Sequence, residues 1–200
     1  MARRLLLAAV LGALLMAPAW WLGRHPGRIP SFTAAPRRAA APLNVQYPVG
    51  WRVEHDQGRR ESYQQVRLIG PRNAEDTYTA FIAIRVRPRQ EEGGWYERIE
   101  DLMRQTMDHT VEGSTVDGPR AAQVAGLPAE ELVVSSTLTL RPEHGLRPGP
   151  IPVKSRAVFF ARERAFYEVV FSADAREYAP LEPEFDEMLR SFVIGSSEPS

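Results

Sequence analysis

Two stretches near the C-terminus decide the fold: Ala157-Val-Phe-Phe-Ala-Arg-Glu-Arg-Ala-Phe-Tyr-Glu-Val-Val-Phe171, and then Pro183-Glu-Phe-Asp-Glu-Met-Leu-Arg-Ser-Phe-Val-Ile194. In the first, Tyr167, Val169 and Phe171 alternate with Phe166, Glu168 and Val170. Two-residue alternation of aromatic and β-branched side chains is the pattern of a strand. Phe159 and Phe160 precede it in a similar run, and Arg162-Glu163-Arg164 between them suits a hairpin link. In the second stretch the period changes. Phe185, Met188, Leu189 and Phe192 fall at i, i+3, i+4 and i+7, one stripe of a helix. Pro183 fits the first helical turn, Glu182, Glu184, Asp186 and Glu187 suit its positive end, Arg190 its negative end, and Gly195 its stop. The stretch from 156 to 194 therefore asks for a sheet with a helix laid across it.

Upstream, more strands are expected. Val45–Tyr47 and Trp51–Val53 read as extended segments around the turn Pro48-Val49-Gly50, and Asp56-Gln57-Gly58 reads as another turn. Ser62–Gly70 reads as a strand with Val66 and Ile69 toward the core. Thr79–Arg87 alternates Ala80, Ile82, Ile84 and Val86 against a semi-polar face, and Pro88 ends it. Trp95–His109 is expected to be a helix, with Trp95, Ile99, Leu102, Met103 and Met107 on one stripe. Gly113–Gly118 reads as a turn or short strand. Ala121–Val124 and Ala129–Leu140 read as a hairpin around Gly126-Leu127-Pro128. In the second of these, Leu132, Val134, Leu138 and Leu140 alternate with the polar Glu131, Ser135, Thr137 and Thr139. Arg141–Pro150 is a Pro/Gly loop, and Ile151 opens the last hairpin. The order strands, helix, strands, helix differs from the alternation of a doubly wound sheet. It points to an antiparallel sheet flanked by helices.

Composition bounds the rest. At 200 residues and 44% hydrophobic, the chain allows one domain plus an extension. The 25 basic and 25 acidic residues balance, but unevenly. Residues 1–42 hold six arginines and no acid; taking those six from 25 leaves 19 basic against 25 acidic residues in 43–200. A mildly acidic domain argues against nucleic acid as a partner. Lys154 is the only lysine, which reads as codon usage of a GC-rich genome. With no cysteine, disulfides, thiolate zinc sites, cysteine nucleophiles and lipidation at an N-terminal cysteine are excluded.

Residues 1–23 read as a signal peptide or N-terminal membrane anchor. Arg3 and Arg4 precede the apolar run Leu5–Met16, and Ala17-Pro18-Ala19 resembles a cleavage site. Uncleaved, Leu5–Gly23 approaches a membrane span with Trp20 and Trp21 at the interface. The flanking arginines also allow a cytoplasmic orientation. Residues 24–42 form a linker rich in Pro, Ala and Arg, 43–195 the folded domain, and 196–200 a disordered tail.

No nucleophile elbow, His-Glu-x-x-His pair, Walker loop or EF-hand loop is present. Histidine is the scarce resource. His55 lies between Glu54 and Asp56, His109 follows Asp108, and His144 follows Glu143. A histidine beside a carboxylate can ligate a metal or act as a base. These three are the candidate metal ligands, although neighbours in a strand point to opposite faces and do not chelate together readily. Ser135, Ser136, Thr137 and Thr139 share a strand with no identifiable base, and cross-strand hydrogen bonding accounts for them.

Several of these pieces resemble the PsbP family. They are Tyr47-Pro48-Val49-Gly50-Trp51, the Gly126-Leu127-Pro128-Ala129 hairpin with its long following strand, two late strands, and the closing Phe185…Ser191-Phe192 helix. The resemblance covers roughly residues 42–194. It implies an α+β domain, an α/β/α sandwich with a central antiparallel sheet flanked by helices, a fold shared with a Ran-binding nuclear import factor. Plant members are extrinsic photosystem II subunits, and bacterial relatives are generally exported proteins without a known reaction. The matching residues are structural: a permissive turn at Gly50, bulky core at Trp51 and Phe192. They imply fold more than function, and no motif carries over calcium or chloride retention. The resulting expectation is a non-enzymatic exported or membrane-tethered domain, without a cofactor, that binds an envelope protein partner. The alternative is a small-molecule or metal-ion binding domain using His55, His109 or His144. Loops on a rigid scaffold commonly carry function, so the polar face of Ala129–Leu140 and the loop Arg141–Pro150 are the first places to expect a contact surface.

Overall fold

The computed structural model describes residues 43–56, 64–73, 78–88, 98–108, 110, 112–140, 149–162 and 165–195. The elements are β1 (Leu43–Asn44), β2 (Arg52–Asp56), β3 (Gln64–Ile69), β4 (Ala80–Pro88), α1 (Ile99–Asp108), β5 (Thr115–Val124), β6 (Leu127–Leu140), β7 (Gly149–Arg162), β8 (Ala165–Asp174), α2 (Ala175–Arg190) and β9 (Val193–Ile194). Seven strands form one sheet in the order β2-β3-β4-β8-β7-β6-β5, and β1 pairs with β9 separately. Every pairing is antiparallel. The expected leader, linker and tail lie outside the described residues.

The deciding hairpin sits at the middle of the large sheet. β7 and β8 pair from Val153–Asp174 to Arg162–Ala165, and β4 flanks β8 on its other side. Almost all of β8 is buried, because side chains on both faces are covered. On one face Val158, Phe160, Tyr167, Val169 and Phe171 join Ile82, Ile84, Val66 and Leu68 in the main core. α2 closes that core with Tyr178, Phe185, Met188 and Leu189. Phe171 packs against Trp51, Tyr178 and Phe185 with ring centroids 6.5, 5.0 and 5.3 Å away. On the other face Leu132, Ala157, Phe159 and Phe166 meet Leu102 and Met103 of α1, with Ile99 and Met107 partly buried beside them. Four members of the expected α1 stripe are thus in place; Trp95 lies outside the described residues.

α2 differs from its sequence reading. It begins at Ala175, two turns before Pro183, so Pro180 and Pro183 are both interior. Each proline lacks the N–H that would bond four residues back. Three things offset that loss: the buried stripe, which extends upstream through Tyr178 and Leu181; the Asp174 cap, whose carboxylate accepts from the Arg176 N–H at 3.0 Å; and Trp51, whose indole Nε1 donates to Glu184 Oε2 at 2.8 Å. The acids expected at the helix start lie mid-helix, and only Glu177 is in the first turn. The helix stops at Ser191, which bonds back to Glu187 and Met188, and Gly195 follows β9 instead of ending α2.

Two further expectations change. Gly113–Gly118 opens a ten-residue strand, β5, interrupted by a bulge between Asp117 and Arg120. A Cβ at Gly118 would lie 2.7 Å from the Glu131 carbonyl oxygen, so the bulge needs glycine there. The β5–β6 turn is Ala125–Gly126, both at positive φ, which matches the twist of a two-residue hairpin. Leu127 and Pro128 already belong to β6.

Phe171→Ala is expected to cost about 3–5 kcal/mol, because it empties the contact between sheet and helix; urea denaturation monitored by tryptophan fluorescence measures it. The Asp174 cap gives a pH-dependent prediction. The hydrogen bond from Arg176 holds the Asp174 carboxyl below the ordinary carboxylate range, against the effect of its burial. A carboxyl lowered in the folded state stabilises above its unfolded value, about 3.9, and loses that contribution as pH falls through the folded value. Wild type should therefore exceed Asp174→Ala by about 1 kcal/mol near neutral pH, with the gap closing in acid. Thermal melts across pH check the sign.

Candidate functional site

The sheet is wider than its helical cover. On the α2 face the strands β5, β6 and β7 carry three rows set by register: Thr115, Ser135 and Lys154; then Asp117, Val133 and Arg156; then Arg120 and Glu131 beyond the bulge. With Glu182 of α2 these nine side chains line an open groove of about 620 Å³. Its floor is the polar face of β6 singled out in the sequence. The loop 141–148 lies outside the described residues.

Arg156 organises the inner wall. Its Nε donates to Glu131 Oε2 at 2.8 Å, and its Nη1 donates to Asp186 Oδ1 at 2.6 Å. Glu182 Oε1 lies farther off, at 3.8 Å. The Arg156 side chain is only 17% exposed, and burial works against its charge. The hydrogen bonds to Asp186 and Glu131 outweigh that, holding its pKa above the ordinary arginine value. The guanidinium also lies over the Phe185 ring at 5.6 Å. Arg156 thus ties β7 to β6 and to α2 at once.

Lys154 and Glu182 lie on the adjoining side, each against the buried Tyr178. The Tyr178 hydroxyl donates to Glu182 Oε1 at 3.1 Å. Burial and the neighbouring Glu182 carboxylate push the phenol well above its ordinary pKa, so it stays protonated. Lys154 Nζ sits 4.2 Å from the centroid of the same ring, a cation–π contact. At the outer rim Arg120 pairs with Asp117.

A second ionic cluster lies on the α1 face. Glu168 is 2% exposed and accepts from Arg85 Nη1 at 2.9 Å and Arg87 Nη2 at 3.5 Å, while Arg85 Nε donates to Gln65 Oε1 at 2.8 Å. It neutralises a buried carboxylate between central strands, as such a charge requires.

The histidine candidates are not brought together by anything described. His55 lies in β2, opposite Val66, at one edge of the sheet. His109 and His144 lie outside the described residues. Among the described residues no three histidine, aspartate or glutamate side chains converge as a metal site. Of the hydroxyl residues on β6, Ser135 lines the groove. Sequence reasoning passed over Lys154 and Arg156. The available signal was their phase: they continue the alternation of Val158 and Phe160, so the face that is core at one end of β7 turns ionic at the other.

No family model and no curated protein matches the chain. Solved structures do. LpqN of Mycobacterium tuberculosis, involved in cell envelope biogenesis, aligns with a TM-score of 0.57 and 13% identity over 85% of this chain and 91% of its own. The cyanobacterial PsbP protein CyanoP of Synechocystis aligns with a TM-score of 0.50 and 11% identity over 82% of this chain and 98% of its own. A Bacteroides thetaiotaomicron structure aligns with a TM-score of 0.47 and 12% identity over 78% of this chain, which spans 46% of that structure's length. The fold is PsbP-like, as the resemblance implied. Among the described residues no helix is long and apolar enough to cross a membrane.

Arg156→Ala should destabilise the domain by about 1–3 kcal/mol, since it strands two carboxylates around a half-buried site. Arg156→Lys should restore only part, because an ammonium cannot fork to both Glu131 and Asp186. Chemical denaturation of the three proteins tests the order.

Proposed function

We propose that this chain is a non-enzymatic PsbP-like α/β/α sandwich, exported or held to the membrane by residues 1–23, that acts by binding a protein partner in the cell envelope. The observation that carries the reading is the groove: a rigid, ionic, solvent-open wing beside a closed core. Its charged side chains are mostly matched to one another, an arrangement suited to recognition. The structural likeness to LpqN, a protein involved in cell envelope biogenesis, supports the compartment, together with the leader-like residues 1–23. A second reading is a small-molecule binding domain. One observation favours it: the groove volume falls within the range of about 300–1,000 Å³ typical of ligand pockets.

The test uses the full chain in intact cells. A photo-crosslinking residue at Asp117 on the groove rim should give an adduct of discrete mass with an envelope protein, and the same residue at Arg104 on α1 should not. No adduct at Asp117, or the same adduct from both positions, defeats the protein-binding reading. Mass spectrometry of the mature chain tests the compartment. A chain starting at Trp20 outside the cytoplasm, or retaining Met1 in the membrane fraction, fits; Met1 retained in the soluble cytosol does not.

A further inference from the structure

Three bases and three acids line the groove: Arg120, Lys154 and Arg156 against Asp117, Glu131 and Glu182. Five of the six have an opposite charge within salt-bridge distance. Asp117 pairs with Arg120, and Arg156 is engaged by Glu131, Glu182 and also Asp186 of α2. Lys154 is the sixth. Its ammonium lies 4.2 Å from the centroid of the Tyr178 ring, with no carboxylate in salt-bridge distance among the described residues. An ammonium carries three N–H donors, and a ring face on one side does not use them all.

The sheet register places two more donors in the same row. Ser135 of β6 is directly opposite Lys154, and Thr115 of β5 is directly opposite Ser135. Such opposed residues have Cβ atoms about 4.5–5.5 Å apart. All three side chains line the groove, and neither hydroxyl has a hydrogen-bond partner among the described residues. The row runs from Lys154 across β6 to β5, away from β8 and the α2 that lies on it. One ammonium and two hydroxyls thus border an open cavity of about 620 Å³.

We infer that this row binds a carboxylate, whose oxygens accept from Lys154 Nζ and the Ser135 hydroxyl, with Thr115 at the outer end. The inference rests on the groove being the binding surface, and it names the group that the bound partner or small molecule brings there. A carboxylate has two oxygens, about four acceptor positions and no donor, which suits a row of donors. Arg156 is enclosed by three carboxylates and Arg120 is held by Asp117, so an incoming anion meets Lys154 as the cation not already engaged. A single negative charge matches that single positive one. An incoming ammonium would be repelled by Lys154, and a phosphate dianion would bring a second negative charge toward Glu131 and Glu182.

Lys154 is the only lysine in the chain, so lysine labelled at Cε gives one side-chain NMR signal. The folded chain is titrated at constant ionic strength with propionate, n-propylamine and inorganic phosphate, and with the blocked peptide acetyl-Gly-Asp-Gly-amide and its Asn counterpart. The expected result is saturable movement of the Lys154 Cε signal and the Ser135 amide with propionate or the Asp peptide, and none with n-propylamine or the Asn peptide. Ser135→Ala should weaken carboxylate binding about tenfold. Lys154→Gln, followed at the Ser135 amide, should abolish it, and Lys154→Arg should retain part. Spectra without ligand report whether each variant folds; if Lys154→Gln does not, Ser135→Ala carries the test. Tighter binding of the peptide assigns the carboxylate to a protein partner, and tighter binding of propionate assigns it to a small acid. Movement with neither carboxylate, an equal response to n-propylamine, or tighter binding of phosphate overturns the inference. Crosslinking at Asp117 is a separate readout, so that failure leaves the protein-binding reading of the groove to be decided there.

Discussion

β8 directs Tyr167, Val169 and Phe171 to one side of the sheet and Phe166 and Val170 to the other, and both sides have to be kept dry. A strand of that composition cannot lie against water on either face without exposing several large side chains, each worth about 1.5–3 kcal/mol. α2 covers one side and α1 the other. A helix with its side chains is about 10–12 Å across, and strands lie about 4.8 Å apart. One helix therefore shelters two or three strands. Laid on β8 and β7, α2 leaves the parts of β5 and β6 around Thr115–Arg120 and Glu131–Ser135 open on that face, while Val124 and Ala129 at their other ends remain in the core. The groove follows from that shortfall in cover, and its polar lining follows from its exposure.

The boundary between covered and open sheet is where charge collects. Arg156 stands where the β7 face passes from Phe160 and Val158 to Lys154. It is too sheltered to be left to water and too polar for the core. Three carboxylates from β6 and α2 surround it, so the arginine draws the helix onto β7 by directed bonds where apolar contact has run out. On the α1 face Glu168 instead joins strand to strand, held between Arg85 and Arg87 of β4. Each cluster fixes a position that hydrophobic burial alone would leave free to slide.

Much of this was legible. The β7–β8 hairpin, its two faces, the α1 stripe from Ile99 to Met107 and the polar side of β6 follow from period alone, because each lies where one physical demand dominates. The start of α2 did not. Pro180 and Pro183 are local signals against a helix, and they are outweighed by tertiary burial of Tyr178 and Leu181 with a cap at Asp174, which propensity cannot register. β5 was hidden by its own bulge: Gly118 and Pro119 look like a turn, and the strand around them is an exposed edge without apolar alternation. The groove was half visible. Its floor on β6 could be read from alternation, whereas its walls depend on register bringing Lys154 beside Ser135 and on α2 reaching Glu182 over the sheet.

Lys154 carries a different meaning in the structure than in the sequence. In a chain with 24 arginines, a single lysine reads as background. At this position the two side chains would behave differently. A guanidinium stacked on Tyr178 would present a planar fork of five donors. An ammonium is a compact point charge. It lies over the ring face, with no carboxylate within salt-bridge distance among the described residues. The lysine thus places its charge over the ring face of Tyr178, while Glu182 takes the hydroxyl of the same residue and lies beside Arg156. α2 is already anchored by Phe171, Phe185, Trp51 and Arg156, so its seating does not depend on the Lys154 charge. What Lys154 adds is a cation at the point where the buried ring of Tyr178 meets the open groove.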